Sequence, residues 1–150
     1  MNFNEQILTV LKRNGIKLRP CSTIQLMKIE EFAKDKLPAV YVDFLLAMGE
    51  EAGEFMQGSD CFYTFIFDLK SWAIKTIEEN HFKPLPENAF VFWMHQGYQF
   101  AFFQLGSDDN PNVYYFNECE RMTEYRNIGT LIDFYSDMMK LSRINACISI

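Results

Sequence analysis

Apolar residues recur at the three- and four-residue spacing of a helix in five segments of this chain, with runs of β-formers between the later ones. Phe3, Ile7, Val10 and Leu11 set the first helix, which Asn14-Gly15 stops. Ser22-Thr23-Ile24-Gln25 opens the second as a capping box, in which the serine hydroxyl and the glutamine side chain satisfy each other's free backbone donors. Its buried stripe is Leu26, Ile29 and Phe32 or Ala33. Pro38 suits the first turn of a third helix, where its missing N–H has no partner to lose. Tyr41, Phe44, Leu45 and Met48 make that helix's core face, and Gly49 is expected to end it in the left-handed conformation.

Beyond an acidic loop, Phe62-Tyr63-Thr64-Phe65-Ile66-Phe67 is dense in β-formers and too short for a globular helix, which predicts a strand. Asp68 then caps a fourth helix with Leu69, Trp72, Ala73 and Ile77 inside, ending near Asn80. Pro84-Leu85-Pro86 breaks regular structure. Residues 89–94 and 98–104 read as strands joined by a hairpin turn at His95-Gln96-Gly97. The turn cluster Gly106-Ser107-Asp108-Asp109-Asn110-Pro111-Asn112 leads to a strand at 113–117, and a short strand is expected at 123–126. Thr130 caps the last helix, whose apolar set is Leu131, Phe134, Tyr135, Met138 and Leu141. This order predicts an α+β fold: one domain over residues 1–150, an antiparallel twisted β-sheet with helices packed against it. No internal repeat or linker interrupts it.

The central strands are apolar on both faces, since Phe90 and Phe92 alternate with Val91 and Trp93, and Tyr98, Phe100 and Phe102 with Ala101 and Phe103. Either helices cover both sides or one face is a groove for a partner. Aromatic sheets also stack single-stranded bases, but that mode needs a positive track, and residues 84–120 contain no Lys or Arg.

Charge narrows the partner further. The net charge is −6, unevenly spread. Residues 1–36 sum to +3, whereas residues 37–69 hold six acids and no Lys or Arg, and residues 84–120 add five more. Clustered acids repel phosphate and attract basic surfaces, so direct nucleic-acid binding is disfavoured and a basic protein partner is favoured. The competing reading is that the acids serve solubility alone. The four cysteines lie too far apart for a CxxC site. With no leader pattern and no run near ~18 apolar residues, the expectation is a cytoplasmic protein with reduced thiols and no membrane span.

Catalytic chemistry finds little to work with. His81 and His95 fall at a helix end and a hairpin turn, with no orienting partner at suitable spacing, so surface or capping roles are expected. Asp108-Asp109-Asn110 reads as a turn, not a calcium loop. There is no Gly-rich phosphate loop, no nucleophile elbow and no evident nucleophile–base pair. No enzyme activity, cofactor or metal is expected, although a small-molecule pocket beside the aromatic sheet would be a third possibility.

The string of motifs resembles the SUKH superfamily, the fold of the fungal cell-wall synthesis regulator and of many bacterial immunity proteins. The family's early helix looks like Ile24 to Glu31, and its Leu-Pro-x-x-Tyr-x-x-Phe-Leu…Gly signature is similar to Leu37, Pro38, Tyr41, Phe44, Leu45 and Gly49. Its strand and Leu-rich helix resemble residues 62–77, its central-Gly hairpin residues 90–103, and its Pro-x-Val-Tyr strand Pro111-Asn112-Val113-Tyr114. Its closing helix resembles Thr130-Leu131-Ile132-Asp133-Phe134-Tyr135. The chain departs where Met48-Gly49-Glu50 replaces Asn-Gly-Gly and where Leu131, not an aromatic, follows the cap.

The resemblance implies a non-catalytic immunity protein (an antitoxin) that binds a cognate protein toxin, frequently a nuclease whose basic cleft suits an acidic blocker. The alternative is a regulatory scaffold binding an endogenous protein. Glu50, Glu51, Glu54 and Asp60, with Asp108, Asp109, Glu118 and Glu120, are the candidate partner-binding acids. Phe55, Trp93 and Tyr114 are candidate aromatic anchors beside them.

Overall fold

The computed structural model of the chain describes residues 3–106 and 108–141, with side chains from Glu5 onward. The Phe3 side chain, Ser107 and Cys147, each invoked from sequence, lie outside the described residues. In chain order the elements are α1 (Phe3–Arg13), α2 (Thr23–Ala33), α3 (Ala39–Met48), β1 (Ser59–Asp60), α4 (Tyr63–Ile66) and α5 (Leu69–Glu79). Then come β2 (Ala89–His95), β3 (Gln99–Gln104), β4 (Asn112–Asn117), β5 (Arg126–Thr130) and α6 (Leu131–Leu141). The five strands form one sheet in sequence order, antiparallel throughout. The fold is α+β, as the pattern of elements predicts.

Local chemistry explains most of the boundaries. Gln25 N donates to Ser22 Oγ (3.1 Å) while Ser22 N donates to Gln25 Oε1 (2.9 Å), so the capping box of α2 is complete. Thr130 and Asp133 repeat the reciprocal arrangement at α6: Asp133 N to Thr130 Oγ1 at 3.3 Å and Thr130 N to Asp133 Oδ2 at 2.9 Å. At the β2–β3 hairpin, Gln96 (φ 52°) and Gly97 (φ 78°) both take left-handed backbone, the requirement of a type I′ turn.

The sheet is buried on both faces, which settles the two-sided aromatic pattern in favour of cover by helices. One face carries Phe90, Phe92, Trp93, Ala101, Phe103 and Val113 against α1, α2, α3 and α6. The other carries Ala89, Val91, Met94, Phe100, Phe102 and Phe116 against Leu69, Ala73 and Ile77 of α5. A β-bulge makes this partition: the β2–β3 pairing steps from Val91 to Trp93, so Phe92 and Trp93 point to the same face. Simple alternation would have put Trp93 with Val91.

Six expectations are corrected. Residues 62–67 contain no strand: Tyr63–Ile66 is one turn of helix, with Ile66 buried, Tyr63 and Phe67 half-buried, and Thr64 and Phe65 outside. Its aromatics meet the core at helical spacing, and the adjacent strand is the two-residue β1 just before it. The last strand is Arg126–Thr130, not 123–126, because Tyr125 turns toward the α5 side and rests on Phe82 and Phe102. Gly49 is right-handed (φ −63°, ψ −20°), and its missing side chain matters for another reason. A Cβ there would meet Cys21 Sγ at 2.4 Å. Asp68 holds the N-cap position of α5 without a side-chain capping bond, and Trp72 and Leu141 of the predicted apolar sets are exposed.

Candidate functional site

At the hairpin end of the sheet, β1, β2 and β3 meet the C-terminal end of α6 around a half-open cleft of about 570 Å³. Glu54, Met56 and Gln57 supply one wall from the loop before β1. Ser59, Trp93, His95 and Gln99 form the strand side, and Met138 and Leu141 the helix side. Register creates the cleft. Ser59 pairs directly with His95 across β1 and β2, and His95 with Gln99 across β2 and β3, which places all three on one face.

Ser59 Oγ lies 3.2 Å from His95 Nδ1, a contact between residues 36 apart in sequence. The His95 ring lies nearly parallel to Trp93 (9° between planes, centroids 6.0 Å). Gln99 accepts a hydrogen bond from the Tyr115 hydroxyl at the cleft's far side. The sequence placed His95 in a turn with no partner, so its pairing with Ser59 is new. The pairing rests on strand register, which no local motif encodes. It is a serine–imidazole contact, but Asp60, the next residue of β1, points to the opposite strand face and is not aligned behind the imidazole. Burial raises the Asp60 carboxyl above its ordinary pKa, while His95 pulls it the other way.

The predicted acids separate into distinct environments. Glu54 lines the cleft, whereas Asp60, next to Ser59 in β1, faces the other side of the sheet. Glu51 is held by Arg19, whose guanidinium reaches its carboxylate at 2.8 Å while the two backbones form an isolated antiparallel bridge. Glu50 accepts from the Gln25 side chain of α2. The net-positive N-terminal segment thus folds back onto part of the acidic loop and offsets it. Glu118 accepts from Asn80 at the end of α5, and Glu120 pairs with Arg126, which also sits 5.0 Å over the Tyr115 ring.

Asp108 and Asp109 occupy the β3–β4 connection, at the other end of the sheet. There Asp109 caps α3, accepting from Ala39 N through Oδ1 (3.4 Å) and from Val40 N through its carbonyl (3.1 Å). A carboxylate at that position also suits the helix dipole. Asn110 Oδ1 does the same for Ile132 N of α6 at 3.1 Å. This turn fastens two helices together and is not part of the cleft.

The three aromatic candidates are mostly interior. Phe55 is 0% exposed within the helix-covered core and is not available as a surface anchor. Trp93 is 4% exposed and backs the cleft from behind His95. Tyr114 is half-buried on the α5 side, stacked on Phe102 at 5.5 Å, and so sits on the opposite face.

Among the described residues no group of three or more His, Cys, Asp or Glu is placed to hold a metal, and no helix is long and apolar enough to cross a membrane. Cys21 and Cys61 are buried free thiols and Cys119 is exposed. Burial, and secondarily Glu50, pushes the Cys21 thiol up to about 11.

The family model of the SMI1 / KNR4 family (SUKH-1) matches residues 20–135, from just before α2 into α6, and the chain belongs to that family. No curated protein and no solved structure matches the chain. Members of this family bind partner proteins and are generally non-catalytic. The matched span contains every cleft residue except Met138 and Leu141.

Proposed function

We propose that this protein is an immunity protein that neutralises a cognate toxin, a nuclease, by direct binding through the acidic surface around the hairpin-end cleft. The observation that supports it most is the cleft's composition. It is concave, carries Glu54 on its wall, and has no Lys or Arg among the described residues that line it. A basic nuclease surface would be steered toward such a site and held against water-excluding apolar groups. Of the acids named from sequence, Glu54 lines the site directly, and Glu50 and Glu51 lie a few residues earlier in the same loop.

Two experiments test the reading. The protein is purified from its native host with whatever remains bound, and the bound protein is expressed with and without this chain to score rescue from toxicity. Loss of the gene should become harmless once the toxin gene is deleted. A gene still required without a toxin would point instead to a regulatory role. Second, charge reversal at Glu50, Glu51 and Glu54 should slow association and flatten its salt dependence. Unchanged affinity and salt slope would remove the loop from the interface.

A further inference from the structure

Resting on the toxin-binding reading for the partner's identity but on the cleft alone for its chemistry, we propose that the hairpin-end cleft is an arginine site. It takes one guanidinium side chain from the basic surface of the partner. Three features select this occupant. Glu54 is exposed on the cleft wall, and no Lys or Arg among the described residues lines the cleft to neutralise it. His95, held nearly parallel to Trp93, offers a planar ring on which a planar guanidinium stacks better than a compact ammonium. Ser59 and Gln57 add oxygen acceptors for the fork of N–H donors, and Met56 and Met138 are apolar contacts for its methylene stem.

Size agrees. A cleft of about 570 Å³ exceeds one side chain and leaves room for the flanking backbone of a loop. A lysine would find the carboxylate but gain little from the ring and the acceptors. An anionic ligand would meet Glu54 with no Lys or Arg among the described lining residues to offset it.

The test is an NMR titration of the full chain with the capped peptide Ac-Ala-Arg-Ala-NH2, its lysine analogue and its neutral citrulline isostere. The arginine peptide should move the Trp93 indole N–H and the amides of Ser59, His95 and Gln99. It should bind about threefold or more tighter than the citrulline peptide, as expected for an exposed ion pair. Glu54→Gln should bring the two to parity without changing thermal unfolding.

Equal affinity for arginine and citrulline peptides, tighter binding of lysine, shifts confined to other surfaces, or no shift at tens of millimolar peptide would each overturn the proposal. So would shifts that appear only after residues 142–150 are removed, since the cleft would then belong to the chain's own terminus. No toxin is needed. A failed titration removes the arginine site and leaves toxin binding standing, whereas failed rescue removes toxin binding and leaves the site.

Discussion

Replacing Gly49 by alanine puts a methyl group where the Cys21 sulfur already sits. The backbone does not object: at φ −63° and ψ −20° any residue is comfortable. On that ground alone the change would stabilise by about 0.4–1 kcal/mol, because alanine restricts the unfolded chain. The added Cβ, however, meets Cys21 Sγ at 2.4 Å, the Leu45 carbonyl oxygen at 2.7 Å and Leu45 Cα at 2.9 Å. Ordinary contact begins at 3.4 Å, so the sulfur must move by about an ångström in a core where Cys21 is 4% exposed. Overpacking of this kind costs about 1–3 kcal/mol, and it outweighs the chain-entropy gain. The net loss is expected to be roughly 1–2 kcal/mol, or about 2–8 °C in Tm for a chain of this length.

Urea unfolding followed by tryptophan fluorescence measures the loss, and a double-mutant cycle assigns it. In a Cys21→Ala background the sulfur is gone, so Gly49→Ala should cost at least about 0.5 kcal/mol less than in the parent. A Gly49→Ala protein as stable as the parent would refute the steric account. A full cost undiminished by Cys21→Ala would do so as well, and would return the glycine's role to its backbone.

Ser22→Ala removes the hydroxyl that accepts from Gln25 N and should lower stability by about 0.5–2 kcal/mol, whereas Ser22→Asp should retain most of it; thermal melts decide. Asp60 has a folded-state pKa raised by burial, so its ionised form opposes folding. Its penalty is absent below the unfolded value of 3.8 and grows as pH rises through the folded one. Asp60→Asn should therefore be at least as stable as the parent at pH 7 and lose any advantage near pH 3; a deficit at pH 7 in chemical denaturation would contradict the burial argument. Thiol alkylation read by mass spectrometry should label exposed Cys119 in the native protein and leave Cys21 and Cys61 protected until unfolding. Labelling of Cys61 at the rate of Cys119 would show that the core around it opens readily.

Much of the fold was legible where neighbours in sequence are neighbours in space. The core faces of α1 and α3, the capping box of α2, the Thr130 cap of α6 and the Gln96-Gly97 turn all rest on residues within about four positions of one another. Residues 62–67 misled because aromatic density is shared by strands and by single helical turns against a core, and spacing over six residues does not separate them. The candidate site was legible only in part. Glu54 and Trp93 were named, but the acids were grouped by position along the chain. Folding put Asp109 under α3, Glu51 against Arg19 and Phe55 inside the core.

By itself the sequence determined most of the helices and strands, most of the faces they bury and where they stop, and the family the chain resembles. Each depends on periodicity or on short-range hydrogen bonding. Tertiary structure alone decided that Ser59 faces His95, that a bulge at Phe92 turns Trp93 to the face covered by α1, α2, α3 and α6, and that Arg19 offsets Glu51. These contacts join residues 36 and 32 positions apart in the first and last cases. Their geometry comes from strand register and from the burial of the whole sheet at once, and no local spacing carries that information. The cleft exists at that level only, and so does the choice of which acids face a partner.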